Sequence, residues 1–259
     1  MRNIAAIVER ELRAYFSSPI AYVVLTIFIF LSGIFFTSIL GQVMQMALFS
    51  QMQAQQTGPQ PIDMPGMISR GFLSTMSVIL LFIMPMLTMG LFSEEKKRGT
   101  IELLLTAPLT DAQVVLGKFF AAGAFYIILL LTTWIPMAVL YMYGSPASGP
   151  ILTAYLGLLL YGLAILSIGL FISTLTENQI IAAILSFGTI MVLWLVDVVG
   201  QNAESPTSKG VLQYLSILSH LDDFMKGVLA SSNIIFYVSL MLMALFLTYR
   251  SIDSLRWRG

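Results

Sequence analysis

Six runs of about twenty apolar residues constrain this chain more than any other feature. They fall at 20–40, 72–92, 119–143, 151–175, 180–199 and 234–249. Each is long enough to cross a hydrocarbon core of about 30 Å as a helix. A helix satisfies its own backbone donors and acceptors, which is what a span without water requires. Composition agrees: of 259 residues, 58 % are apolar and 10 % charged, where a soluble domain carries about 25 % charge. The mean hydropathy is +0.88. The expected fold is an all-α integral membrane protein, one domain over 1–259. The 13 basic and 13 acidic residues balance, which argues against a nucleic-acid partner. With no Cys in the chain, disulfides, cysteine zinc sites, iron–sulfur clusters and thiol nucleophiles are excluded. The run at 20–40 starts after Pro19, a good first-turn residue. It is too long for the core of a cleaved signal, and a charged helical segment precedes it.

Basic residues orient the spans. Arg2, Arg10, Arg13, Lys96, Lys97, Arg98, Lys118, Arg250, Arg256 and Arg258 fall on one side, and Arg70, Lys209 and Lys226 on the other. The richer side is expected to be cytoplasmic, which puts both termini in the cytoplasm and the chain in the cytoplasmic membrane. The stretch 41–71 is polar, Met-rich and turn-rich, with a Gln-rich segment at 51–60 and the turn pairs Gly58-Pro59 and Pro65-Gly66. It reads as an extracytoplasmic loop. Pro85 and Pro136 lie inside the second and third spans and are expected to kink them.

Three segments are neither loop nor span. Over 1–18, Ile4, Ile7, Val8, Leu12, Tyr15 and Phe16 share one helical face, with Arg2, Glu9, Arg10 and Arg13 opposite or flanking. This is a short amphipathic helix suited to a membrane surface. At about 100° per residue, Glu11 lands inside the apolar sector. Either it sits at the margin and reaches water, or it meets a basic partner in a neighbouring loop. Over 93–110 the chain reads Ser93-Glu94-Glu95-Lys96-Lys97-Arg98-Gly99-Thr100-Ile101-Glu102-Leu103-Leu104-Leu105-Thr106-Ala107-Pro108-Leu109-Thr110. A solvated charged loop accounts for the charges but not for the apolar turn at 101–105, which needs a cover. Thr110 and Gln113 form a capping box that opens the third span. Over 200–233, Val211, Leu212, Tyr214, Leu215, Leu218, Leu221, Phe224, Met225, Val228 and Leu229 follow a helical pattern interrupted by Ser216, Ser219 and His220. Two short helices dipping into the outer leaflet are expected there.

The run over 94–110 resembles the cytoplasmic signature of permeases of the type-2 ATP-binding-cassette (ABC) exporter family. That signature is an acidic–basic cluster, then Gly-Thr-hydrophobic-Glu-Leu-Leu, then a Pro before the next span. The segment Arg10-Glu11-Leu12-Arg13-Ala14-Tyr15-Phe16 with Pro19, and the six spans, resemble it too. The late run Ser216-x-x-x-His220-Leu221-x-x-Phe224-x-x-Gly227 looks most like the gliding-motility-associated permeases. The resemblance implies an N-terminal elbow helix, a coupling helix between spans 2 and 3, and re-entrant outer helices between spans 5 and 6. It also implies a second permease chain, as homodimer or paralogous heterodimer, and separate ABC ATPase subunits that bind ATP and magnesium. The coupling residues would be Glu94, Glu95, Lys96, Lys97, Arg98, Gly99, Thr100, Glu102, Leu103, Leu104 and Pro108. Glu11 would pair at the elbow with Arg98, or with Lys96 or Lys97, and His220, Phe224 and Gly227 would belong to an outer gate. A companion envelope protein and the lipid bilayer complete the implied partners.

The chain carries no Gly-x4-Gly-Lys-Ser/Thr phosphate loop: Gly117-Lys118 runs into Phe119. ATP hydrolysis is thus expected in a partner, and no cofactor or metal in this chain. A membrane enzyme is disfavoured, since His220 is the lone histidine and Asp222-Asp223 point apart on a helix. An ion-coupled transporter marks its path with ionisable groups near the bilayer centre, and Asp197 is expected at the interface instead. A scaffold that moves no cargo is the other alternative, and the substrate is not written in the residues.

Overall fold

A proline, a side-chain cap or a glycine turn sets several of the element boundaries. The structure, a computed structural model, describes residues 2–57, 63–100, 109–201 and 206–256. Among them are eleven helices: α1 (Arg2–Ser17), α2 (Pro19–Thr57), α3 (Met64–Thr88), α4 (Ser93–Lys97), α5 (Asp111–Thr132), α6 (Trp134–Tyr143), α7 (Ser148–Ser173), α8 (Gln179–Gln201), α9 (Pro206–Leu215), α10 (Ser219–Met225) and α11 (Ser231–Arg256). No strand occurs among the described residues. Among the described residues six helical stretches are long and apolar enough to cross a membrane.

Local chemistry explains the ends. The Asp63 side chain accepts from the Gly66 amide and caps α3, which carries Pro in its first turn. The Thr110–Gln113 capping box is formed in both directions at the start of α5. Pro136 cannot donate an amide hydrogen, and the helix breaks one turn before it. There the Thr133 amide donates to the Leu130 carbonyl, and the Thr133 hydroxyl lies 2.9 Å from that of Tyr155. At Pro85 the helix is not interrupted and runs on to Thr88.

The bundle is layered around α7. Between 61 and 72 % of the spans built on α3, α5 and α7 is buried, against 17 to 22 % of α2, α8 and α11. Two contacts show why α7 can be central. A Cβ at Gly162 would come within 2.1 Å of the Tyr126 ring of α5, and one at Gly157 within 2.5 Å of Phe224 of α10. Absent side chains therefore let bulky neighbours approach the α7 backbone. The hydroxyl of Tyr126 donates to the Leu158 carbonyl, and that of Tyr161 donates to the Ser77 carbonyl of α3 at 3.2 Å.

Two expectations are corrected. Most of the stretch 41–71 is helical: α2 continues into it as far as Thr57 and α3 starts at Met64. The 39 residues of α2 extend about 58 Å, well beyond one hydrocarbon core. The reason is propensity. From Gly41 to Thr57 the chain is mostly Gln, Met, Ala and Leu, polar enough to resemble a loop but made of good helix formers, with no Pro before Pro59. The second correction concerns Asp197. It is buried within the protein, and its Oδ1 accepts from the hydroxyls of Ser216 at 2.7 Å and Ser219 at 2.6 Å. These bonds tie α8 to the turn before α10 and to its first residue. The segment after α8 does form two short helices. α9 packs along α8 and α10 across α7, and a turn at Gly227, with φ +85°, leads towards α11.

Candidate functional site

The charged junction lies at the end of the bundle where α1 meets α4 and α5. The apolar stripe of α1 serves two surfaces. Ile7, Glu11 and Tyr15, spaced by four, face α5. Ile7 seats on Gly117, where a Cβ would come within 2.6 Å. Tyr15 stacks on Phe125 at 5.4 Å, and its hydroxyl donates to the Leu87 carbonyl at 3.1 Å. Ile4, Val8, Leu12 and Phe16 form an open apolar surface with Phe120, the kind of face a lipid interface covers.

Glu11 is thereby carried onto Lys118. The Lys118 ammonium is 2 % exposed and lies 3.1 Å from Glu11 Oε1, 2.9 Å from Glu95 Oε1 and 5.2 Å from the centroid of the Phe92 ring. Arg10 bridges the same two oxygens at 2.5 and 3.4 Å. Two carboxylates and two cations from α1, α4 and α5 therefore alternate, with no net charge among the four. The expected partners of Glu11 were Lys96, Lys97 and Arg98, and this is corrected. Arg98 pairs with Glu94 one turn away, and the Lys96 ammonium donates to the Thr174 carbonyl at the end of α7 at 2.5 Å. Packing of Ile7 on Gly117 sets the height of α1, and that height presents Glu11 to Lys118, the next residue of α5.

Burial opposes ionisation of Glu11, but Lys118 and Arg10 outweigh it and hold the carboxyl below its ordinary value of 4.5. Arg10 is raised: burial works against its charge, and Glu11 and Glu95 overcome it. Burial pulls the Lys96 ammonium down, against the attraction of Glu177. The lowered Glu11 value fixes a pH dependence. Its stabilisation is complete above pH 4.5 and lost as pH falls through the lower folded value. Melting curves of wild type and Glu11→Gln should thus differ at pH 7 and converge only once the pH has fallen below the lowered folded value. A gap that persists into acid would show that the Glu11 charge is not its source.

Of the sequence-derived coupling residues, Glu94, Glu95, Lys96, Lys97, Arg98, Gly99 and Thr100 gather on and just after α4. Gly99 takes φ +68°, a left-handed turn that favours glycine and stops the helix. Glu102, Leu103, Leu104 and Pro108 lie outside the described residues. At the opposite end, His220 Nδ1 lies 2.8 Å from the Ser216 carbonyl, and its ring stacks on Phe236 at 3.9 Å. Phe224 is fully buried, and Gly227 sits against Pro150. These three residues pack α10 onto α7 and α11. A cleft of about 980 Å3 beside them has a mixed lining, with Arg70, Ser74, Asp197, Tyr214 and Asp223 as polar members beside Met67, Val78 and Leu218.

Lys118 and Asp197 are the residues that sequence reasoning missed. Lys118 had a signal: it falls two turns after the Thr110 cap, inside the helix rather than in the loop. Among the described residues no three metal-ligating side chains come together. The junction is suited to holding helices together and passing a displacement of α4 to α1 and α5.

Comparison with known proteins agrees with this architecture. Two Escherichia coli proteins resemble parts of the chain. The probable multidrug ABC transporter permease YbhR is 31 % identical over 87 residues, 34 % of this chain and 23 % of the relative. The probable multidrug ABC transporter permease YbhS is 32 % identical over 122 residues, 46 % of this chain and 32 % of the relative. The matched part thus spans a third or less of these curated relatives. The family model described as ABC-2 family transporter protein matches residues 5–252, from the elbow segment almost to the end of α11. A multi-pass bundle with a charged helix between its second and third spans, matched over that length, belongs to the ABC-2 family of transporter proteins.

Proposed function

We propose that this chain is the transmembrane permease subunit of an ABC exporter, and that it couples ATP hydrolysis in a separate ATPase subunit to export or to mechanical work across the cytoplasmic membrane. The observation that carries this reading is the attachment of α4. Glu95 binds it to Lys118 of α5 and, through Arg10, to α1, and Lys96 binds it to the end of α7. A push on the segment 93–110 from a docked ATPase therefore reaches three helices of the bundle at once. Family membership supports the same division of labour, since ABC-2 permeases pair with ABC ATPase subunits.

The remaining assignments follow from this reading. The α1 end faces the cytoplasm, α1 is the elbow helix, and α9 and α10 are the outer helices that close the far side. The large exposed apolar faces of α2 and α8 (Ile27 and Phe30, Ile184 and Val192) face lipid or a second permease chain. The gliding-motility subgroup is supported only by the run from Ser216 to Gly227, in which Ser216, His220 and Phe224 join packing contacts.

Orientation has a direct test. The chain has no Cys, so single cysteines can be labelled on intact cells. A cysteine at Gln55 should react with an impermeant thiol reagent from outside, and one at Lys97 only after the membrane is opened. The reverse pattern would overturn the orientation. The coupling claim is tested by co-expression with an ATPase that carries a phosphate loop. The two should copurify from detergent, and a permease that retains no ATPase of the cognate operon would contradict the reading.

A further inference from the structure

The first span leaves the membrane with an apolar face still uncovered. A Cβ at Gly71 would lie 3.4 Å from Ile39 Cγ2, so Ile39 of α2 is level with Gly71 of α3 and with its neighbour, the exposed Arg70. Counted from Pro19, a hydrocarbon core of about 20 residues ends at the same level. At about 1.5 Å per residue, Leu48 and Met52 lie roughly 13 and 20 Å farther out, past a headgroup layer of about 5–8 Å. Val43 and Ala47 are buried on this extension, yet Met44, Met46, Leu48, Phe49 and Met52 are 52–71 % exposed. Lipid tails do not reach that far, and apolar side chains gathered in water need a cover. The open face is also regular. Steps of seven residues lead from Ile20 to Ile27, Ile34, Gly41 and Leu48, and a second set, three residues on, runs from Val23 to Gln51. Every position of both sets is exposed.

We infer that this seam pairs with the same seam of a second copy of the chain, α2 beside α2 in parallel, and that the pair continues beyond the membrane from Gly41 to Gln51. Two copies inserted alike are related by a two-fold axis along the membrane normal, so each seam residue meets its own copy. An unbroken seven-residue repeat is the spacing of such a parallel pair. The charge pattern selects a copy over another protein. No charged residue lies between Arg13 and Asp63, so a different partner finds no charge to read, and a second copy meets none of its own sign. From Gly41 to Met52 the exposed polar side chains are Gln42, Gln45 and Gln51. A glutamine amide both donates and accepts, and so pairs with its own copy across the axis. Gly41, with open space where a Cβ would stand, lets the two backbones approach where the span becomes the extension. The inference narrows the α2 face, given above to lipid or a second chain, to a second copy, and it rests on α2 crossing the membrane. Its test contains no ATPase, so its failure leaves the coupling proposal standing.

The full chain, which has no Cys of its own, is expressed without any ATPase and given one cysteine at Met44, Leu48 or Met46. All three positions are exposed, but Met46 lies about 200° round the helix from Met44. Membranes are oxidised with copper phenanthroline and the products separated by mass. Met44→Cys and Leu48→Cys should form a species of twice the chain's mass at least about tenfold faster than Met46→Cys, because a disulfide needs the two Cα atoms within about 7 Å. Adding Leu48→Glu to Met44→Cys sets two carboxylates face to face one turn away and should slow the link at least about tenfold. Leu48→Gln, an uncharged amide at the same place, should not slow it, which separates charge repulsion from loss of the leucine. Position 48 is exposed within its own chain, so both variants should accumulate in the membrane as wild type does. No link at Met44 or Leu48, links of equal rate at all three positions, or a link to a protein of different mass would each overturn the inference, as would a Met44 link indifferent to Leu48→Glu.

Discussion

Replacing Lys118 by Met is expected to destabilise the protein more than any other single change at the α1 end. The ammonium is 2 % exposed and answers two carboxylates, Glu11 at 3.1 Å and Glu95 at 2.9 Å. Met keeps the length of the stem but removes the charge, and with it the ammonium's contact with the Phe92 ring. Both acids are then left to Arg10, which is half exposed and already bonded to them. Removing one partner of a buried pair costs about 3–5 kcal/mol, because the charge left behind has no compensation. For a chain of this size, this lowers a melting temperature by roughly 6–20 °C. A second variant separates charge from packing. Lys118→Met combined with Glu95→Gln removes one cation and one carboxylate together and should recover much of the loss, as neutral replacements of whole pairs do. A Lys118→Met protein that melts within a degree of wild type would show that the pair is solvated and holds nothing.

The membrane class and most helix positions were legible because spans depend on local properties. Twenty apolar residues, a Thr–Gln capping box at Thr110 and a Pro at 136 act within a few residues of themselves. The phase of α1 was legible for the same reason, and it placed Glu11 on the apolar face. Its partner was not legible. Lys118 is 107 residues away, and which cation meets Glu11 is decided by the seating of Ile7 on Gly117, a contact between helices distant in sequence. The loop bases were the nearer choice by family arrangement, but Lys96 and Arg98 are committed to Thr174 and Glu94. The far end of α2 misled for a different reason. Gln and Met read as loop on a hydropathy argument and as helix on a propensity argument, and propensity prevailed. Asp197 was assigned to the interface from its place near the end of a span. Its burial depends on Ser216 and Ser219 folding back over it, which no local pattern reveals.

The second large effect is expected at Glu102, in the apolar turn that the sequence places between Gly99 and Pro108. Leucines beside a run of charges are the composition of a docking surface. Reversing a rim charge opposes the partner without emptying the core of the permease. Glu102→Lys should therefore insert and accumulate normally while losing its hold on the ATPase. A turn that packs only within its own chain gives the opposite result, a permease that disappears from the membrane and whose surviving fraction binds the ATPase as wild type does.

The decisive measurement takes both readings from one membrane preparation of Glu102→Lys: the amount of permease, and the amount of ATPase retained on it together with the coupled hydrolysis rate. The account expects wild-type abundance with ATPase retention or coupled hydrolysis reduced at least about tenfold. Wild-type abundance with undiminished retention and undiminished coupled hydrolysis would contradict it.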